Sequence, residues 1–376
     1  MYKLLQSQEF MRNPAPVLAQ LRAQGPLIRG RVPIIGDVWF TTTQSAAARI
    51  LKDDHAFTVR RQDGRVAGLS WWMPSLLKRL TSNMLSSDEP EHRRLRGIVD
   101  HAFQRRAVAG LADTIDTLAE SQQKKLFEND DPADLIAEFS RPFPLWVICE
   151  LLGLPEEDRH DFSKWAGNIT SVTGILSFLF VIFRLRPLTR YIEQRIRHGR
   201  LHGSEGLVHE LVVQNELDED ELVAMIFLLL LAGHETTTHL ISGSLYALFS
   251  NTDQLDKLRQ APDGLDIAIE ELMRFVSPVQ TTKPRIVRDD CDIDGVQLKH
   301  GDMVMPLLVA ANFDPEVFEN PEQLNLSRRP NRHMVFGSGI HFCLGHQLAR
   351  MEMKSALSHL VLGDNPVRPA IALDDL

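Results

Sequence analysis

The chain has 376 residues, 44% of them hydrophobic, enough for a large core, and its net charge of −9 argues against a nucleic-acid or other polyanion partner. Its three cysteines, Cys149, Cys291 and Cys343, are too few and too scattered for a disulfide framework or a metal finger, and fit a reducing cytoplasm. No apolar leader opens the chain, and the apolar runs Leu222 to Gly233 and Gly174 to Phe183 fall short of the roughly 20 residues of a spanning helix, so a cytoplasmic protein without a membrane span is expected.

Helical periodicity comes first: PVLAQLRAQ, TQSAAARILKDD, PEHRRLRGIVDHAF and RAVAGLADTIDTLAESQQKKLF repeat apolar residues every three or four positions. LIRGRVPIIGDVWFTTT, between the first two, reads as a strand pair. Helix resumes through DLIAEFSRPFPLWVICELLGLP, and a long helix is predicted from near Asp218, where acidic residues favour a start, to about Ser250. From Pro278 to Pro306 short β-like pieces alternate with Asp-Gly and His-Gly turns; AANFDPEVFENPEQLNLSRRPNRHM reads as ordered loop, and a last helix follows Cys343. The expected fold is mainly α with a minor β portion, in one domain, 1–376.

One stretch carries specific chemistry: Phe336-Gly-Ser-Gly-Ile-His-Phe-Cys-Leu-Gly345. Glycines at 337, 339 and 345 allow a tight loop to approach a flat ligand, and a cysteine just ahead of a helix is biased toward thiolate. A lone cysteine in such a loop is more often structural. The whole string, however, resembles the cysteine-ligand loop of cytochrome P-450s, Phe-x-x-Gly-x-His-x-Cys-x-Gly, at every defined position. The resemblance implies haem b (iron protoporphyrin IX) with Cys343 as metal ligand and Phe336, Gly337 and Gly345 against the cofactor. A thiolate on haem iron favours O–O cleavage.

Other segments acquire meaning beside it. Ala232-Gly-His-Glu-Thr-Thr-Thr238 is a costly helix interior, explicable by Thr back-bonding to the carbonyl four residues earlier. The family carries Ala/Gly-Gly-x-Asp/Glu-Thr on its central helix, which implies Ala232 and Gly233 beside the haem, Thr236 bonding to dioxygen and Glu235 relaying protons. Glu271-Leu-Met-Arg274 reads alone as a surface pair; the family implies a buried structural triad with Arg328. His92 and Arg96 share a helix face, and with Arg285 and His333 they match the expected propionate partners.

The substrate is poorly encoded. By family position the pocket would draw on Trp71, Trp72, Phe178, Leu228, Leu231, Val279 and Gln280, an apolar set that implies a lipophilic small molecule: terpenoid, steroid, fatty-acyl or polyketide-like. The chain has no nucleotide fingerprint or iron–sulfur cysteines, so electrons would come from a ferredoxin or flavodoxin-type partner docking near Arg93, Arg94, Arg105, His346, Arg350 and Lys354. A departure is the 33 residues after Cys343, where family chains run on through β-strands, so the C-terminal β region reads as short or truncated. The expected activity is an oxygen-dependent monooxygenase, a monomer by family habit. A peroxide-driven or non-redox haem-thiolate enzyme and a non-catalytic haem-binding or gas-sensing protein are the alternatives.

Overall fold

The computed structural model describes residues 2–373 except 34, 69–73, 107, 129, 130, 160, 163, 166–174 and 203–205, with backbone alone at 2, 3, 104–106, 108, 109 and 175–184. Its principal elements in chain order are α1 (Ala15–Arg22), β1 (Leu27–Val32), β2 (Gly36–Thr41), α2 (Gln44–Lys52), β3 (Phe57–Thr58) and α3 (Ser75–Arg79). They continue as α4 (Glu91–Arg106), α5 (Ala112–Leu126), α6 (Pro142–Leu152), α7 (Ile175–His202), α8 (Leu207–Gln214), α9 (Glu219–Ser250) and α10 (Thr252–Gln260). The remainder is α11 (Leu265–Val276), β4 (Arg285–Val287), β5 (Cys291–Ile293), β6 (Val296–Leu298), β7 (Met303–Met305), α12 (Leu308–Asn312) and α13 (His346–Leu357). The chain divides into two compact units, each built from several segments: Met1–Trp71, Ser86–Glu89 and Gly243–Cys343 in the first, Trp72–Leu85, Pro90–Ser242 and Leu344–Leu376 in the second.

The first unit holds the sheet, ordered β1-β2-β7-β4-β3, beside a separate β5-β6 hairpin. β1 and β2 pair antiparallel from Leu27↔Thr41 to Val32↔Gly36, and β7 joins β2 in parallel through Trp39↔Val304. Because successive strand residues point to opposite faces, Val38 and Phe40 enter one buried cluster with Phe10, Leu18 and Phe313, while Trp39 packs with Leu27, Phe57 and Val304 in another. The β5-β6 turn is Asp294-Gly295, with φ of 49° and 88°, the backbone that an Asp-Gly pair supplies for a two-residue hairpin. The segment Leu308–Asn312 is helical rather than loop, its residues all buried.

The second unit is helical. α9 opens on a reciprocal cap in which Glu221 N donates to Asp218 Oδ1 (2.8 Å) and Asp218 N to Glu221 Oε2 (3.0 Å). The run from Leu222 to Gly233 lies within α9, and the described part of the other, from Ile175, within α7. α9 has 32 residues, long and apolar enough to cross a membrane by length and composition, yet 61% of its apolar window is buried inside the protein, as in a core helix. α7 has 28 residues and runs through Pro187, which reads in sequence as a breaker. Arg79 of α3 bonds to Glu193 of α7 and Asp220 of α9, pinning three elements of this unit. Ser355 Oγ of α13 and His359 Nε2, just beyond its end, each lie 2.9 Å from Asp116 Oδ1 of α5. No strand follows Cys343 among the described residues.

Candidate functional site

In the first unit the cysteine loop is shaped by its glycines. Gly337 and Gly339 have φ of 71° and 72°, in the left-handed region. A Cβ on Gly339 would lie 2.0 Å from the Leu51 carbonyl oxygen at the end of α2, so glycine alone lets the loop rest there. The turn closes through Cys343 N to Phe336 O (2.9 Å), Phe342 N to Gly339 O (3.1 Å) and Gly337 N to Met334 O (2.9 Å). Cys343 is half-buried and in no disulfide. The Phe336 ring stands 6.2 Å edge-on from Phe342 and 5.9 Å from His333.

Behind the loop, Glu271, Arg274 and Arg328 come together. Arg274 grips both Glu271 carboxylate oxygens at 2.8 Å, Arg328 Nε donates to both at 3.1 and 3.0 Å, and Asn325 N and Asn331 Nδ2 each add a bond at 3.0 Å. Glu271 and Arg274 have no exposed side-chain surface. The remaining Arg274 and Arg328 donors meet the carbonyls of Asn312, Pro321, Glu319, Asn320 and Gln323. One carboxylate thus balances two buried guanidinium groups and ties α11 to the segment that leads into the cysteine loop.

Arg285 is also buried, and of its five guanidinium donors one reaches Phe57 O, at 3.1 Å. Burial pushes it below its ordinary pKa, and Asp88 and Asp54 oppose this only through space. His333 differs: its Nε2 bonds to Glu270 Oε2 (3.0 Å) and its Nδ1 accepts from Val335 N (3.4 Å), so both ring nitrogens are engaged. Val279 packs on a cluster with Leu51, Leu308 and Met334, and Gln280 Nε2 lies 3.1 Å from Met11 Sδ.

In the second unit α9 carries the acid–alcohol segment. Its length is largely buried, but Leu228, Leu231, Ala232, Glu235 and Thr236, at helical spacing, face open space in part or fully. Thr236 Oγ1 donates to Ala232 O (2.8 Å) and Thr238 Oγ1 to His234 O (2.9 Å), the back-bonding expected of helical threonine. Gly233 has a packing reason: a Cβ there would meet Ile148 Cδ1 of α6 at 2.9 Å. His234 is buried, its Nε2–H donates to Arg141 O (3.1 Å), and burial lowers its pKa to about 4. His92 is buried on α4, and Arg96 on the same helix pairs with Asp100 at 3.1 Å.

Glu352, on α13, was not singled out by its sequence. It is 1% exposed and hydrogen-bonded with Thr237, and burial holds its carboxyl well above the usual carboxylate range. The signal was positional, since Leu348, Glu352, Ser355 and Ala356 share one buried helix face. Among the anticipated docking cations, Arg94 is committed to Glu91 and Glu221, and Arg350 Nη1 donates to His346 O (3.2 Å). Arg93 and Lys354 are exposed. Trp71 and Trp72 lie outside the described residues, as do the side chains of Phe178 and Arg105.

These residues fit a haem. Cys343, in no disulfide and held in a glycine-shaped loop, suits a thiolate ligand to haem iron. Arg285 is a buried cation with donors to spare, which suits a propionate.

Comparison with known proteins agrees with this. The family model described as cytochrome P450 matches residues 202–362. The polyketide biosynthesis cytochrome P450 PksS of Bacillus subtilis (strain 168) is 34% identical over 98% of this chain and 93% of its own length. The vitamin D(3) 25-hydroxylase of Pseudonocardia autotrophica is 34% identical over 98% and 91%. The crystal structure of P450BioI in complex with an acyl carrier protein ligated to hexadec-9Z-enoic acid superposes with a TM-score of 0.85 at 32% identity, covering 94% of this chain and 92% of that one.

Proposed function

Because the chain belongs to the cytochrome P450 family and is a haem-dependent monooxygenase of lipophilic small molecules, supplied with electrons by a separate redox partner, we propose that Cys343 is its axial ligand. The observation that carries this is the loop from Phe336 to Gly345, closed by its own backbone bonds around a cysteine held in no disulfide. Haem with a thiolate ligand supplies the activation of dioxygen, one atom of which enters the substrate while the other leaves as water. Arg285 would hold a propionate, joined by His92 and Arg96 of α4; His333 would do so only by releasing Glu270. Phe336, Gly337, Gly345, Ala232 and Gly233 would border the ring.

The reaction consumes two protons, and α9 offers a way to bring them. Thr236 spends its hydroxyl proton on Ala232 O and keeps its oxygen lone pairs as acceptors. Glu235, partly exposed on the adjoining position, can take protons from water. Glu352, bonded with Thr237 beside the same turn, has its carboxyl held above the usual carboxylate range by burial. Leu228 and Leu231 give the substrate an apolar wall.

The finer reading is a cytoplasmic monomer acting as one domain, reduced by a ferredoxin or flavodoxin and accepting a fatty-acyl, polyketide, terpenoid or steroid-like skeleton. The relatives' names, a polyketide biosynthesis cytochrome P450, a vitamin D(3) 25-hydroxylase and a P450 in complex with a carrier protein ligated to a fatty acid, support that range. The test is the carbon monoxide difference spectrum of the dithionite-reduced protein. A strongly red-shifted Soret band that disappears in Cys343→Ser is expected; a band at the histidine-ligated position in the wild type would overturn the assignment.

A further inference from the structure

α7 holds six arginines and a single acid, Glu193, in a chain whose net charge is −9. Where its side chains are described, the helix has two faces. Leu185, Leu188, Ile192 and Ile196 are buried, while Arg186, Arg190, Arg197 and Arg200 are exposed. Intervals of four, seven and three residues put these arginines on one stripe. From Arg186 to Leu201 the stripe runs about 22 Å along the helix axis.

Glu193 falls within the stripe, but its charge is engaged by Arg79, which also bonds to Asp220 at the start of α9. No hydrogen bond or ion pair holds the side chains of Arg190, Arg197 or Arg200 among the described residues. Leu201, at the end of the stripe, is 77% exposed, more than any other large apolar side chain among the described residues. Solvated arginines need no partner for stability, yet several on one face of an acidic chain create a local potential that draws in an anionic surface. A bilayer would be met by an apolar helix face, and the apolar face of this helix is turned into the protein. Guanidinium forks spaced along a helix match carboxylates instead, and Leu201 supplies the apolar contact found at the centre of protein interfaces.

We propose that the arginine stripe of α7 docks an acidic carrier protein that bears the substrate as a thioester. The inference rests on the fatty-acyl and polyketide reading of the substrate, because such skeletons are built and handed on while joined to small acidic carrier proteins. Carboxylates of the carrier pair with Arg190, Arg197 and Arg200, and an apolar side chain covers Leu201. Charges at an exposed interface act mainly by steering association, so the contact is sensitive to salt.

The experiment compares wild type, a triple variant (Arg190→Glu, Arg197→Glu and Arg200→Glu) and the control Arg31→Glu, an exposed cation of β1. Each holoenzyme is first shown to keep the thiolate carbon monoxide signature, so that failure of the haem-thiolate reading is seen separately. Binding of a fluorescently labelled myristoyl carrier protein is read by anisotropy, free myristate by spin-state shift, and reduction by a ferredoxin surrogate by its rate. The triple variant should bind the carrier about tenfold or more weakly than wild type, with the gap narrowing at about 0.5 M salt. Its affinity for free myristate and its rate of reduction should match wild type, and Arg31→Glu should match wild type throughout. Wild type that does not bind the carrier, or a triple variant that binds it unchanged, overturns the proposal. So does an equal loss of free myristate, which would make the stripe a support of the fold, or slowed reduction, which would give the stripe to the redox partner. Binding of wild type, but not the triple variant, to phosphatidylglycerol vesicles with carrier binding unaltered would assign the stripe to a membrane and likewise overturn it.

Discussion

Replacing Glu271 by Gln should be among the most damaging conservative changes available in this protein. The carboxylate accepts six hydrogen bonds from four residues, and its charge is set against two guanidinium groups with side chains 0% and 9% exposed. Glutamine keeps the shape but offers one acceptor oxygen, turns an NH2 donor toward a guanidinium N–H, and leaves two buried cations without an anion. Breaking a buried pair by removing one partner costs about 3–5 kcal/mol. Spread over the unfolding entropy of a chain this long, that is a fall in Tm of about 5 °C. Thermal unfolding followed by circular dichroism reads it, with Asp253→Asn as the exposed control: Asp253 pairs with Lys257 at 3.4 Å, both more than two-thirds exposed, and its loss should cost under about 0.5 kcal/mol. A Glu271→Gln protein within about 1 kcal/mol of wild type would mean that the surrounding carbonyls carry both cations unaided, and the reasoning would fail.

Thr236→Ala removes the acceptor hydroxyl of α9 and should raise the peroxide released per NAD(P)H oxidised; unchanged coupling would remove Thr236 from proton delivery. His234 gives a pH dependence. Its folded pKa, about 4, lies below the unfolded value of 6.5, so the unfolded chain binds the extra proton in between. Its contribution is complete above pH 6.5 and is lost as pH falls through 4, at most about 3 kcal/mol; His234→Gln should flatten the stability curve over that interval, and an unaltered slope would place the acid sensitivity elsewhere. Arg350→Glu should slow reduction by a ferredoxin surrogate, with the deficit shrinking at high salt; an unaltered rate would move the docking surface away from α13.

Local rules made much of the fold legible. The antiparallel pair of β1 and β2, the span of α9 and the Asp294-Gly295 turn each rest on residues close in sequence, where periodicity and turn chemistry decide the outcome. α7 was harder to read, because Pro187 signals a stop while the surrounding turns continue as helix. The cysteine loop stood out by its spacing, but the reason for Gly339 did not, since the obstructing oxygen belongs to Leu51, far away along the chain. Glu352 illustrates the same limit. Its charge suggests a solvated position, and only the packing of α13 shows the side chain to be buried.

The contact between Gly339 and the end of α2 also bears on how this sequence can drift. The obstacle is a main-chain oxygen, so no substitution at Leu51 relieves it, and a side chain at 339 would have to displace either the last turn of α2 or the loop itself. Mutational freedom in two segments remote in sequence is therefore coupled through backbone alone. Inserting or deleting a residue within α2 would shift that oxygen along the helix by about 1.5 Å and turn it aside. Variants of α2 length should accordingly survive only when accompanied by changes between Phe336 and Cys343, a pairing that a library varying both segments together would reveal.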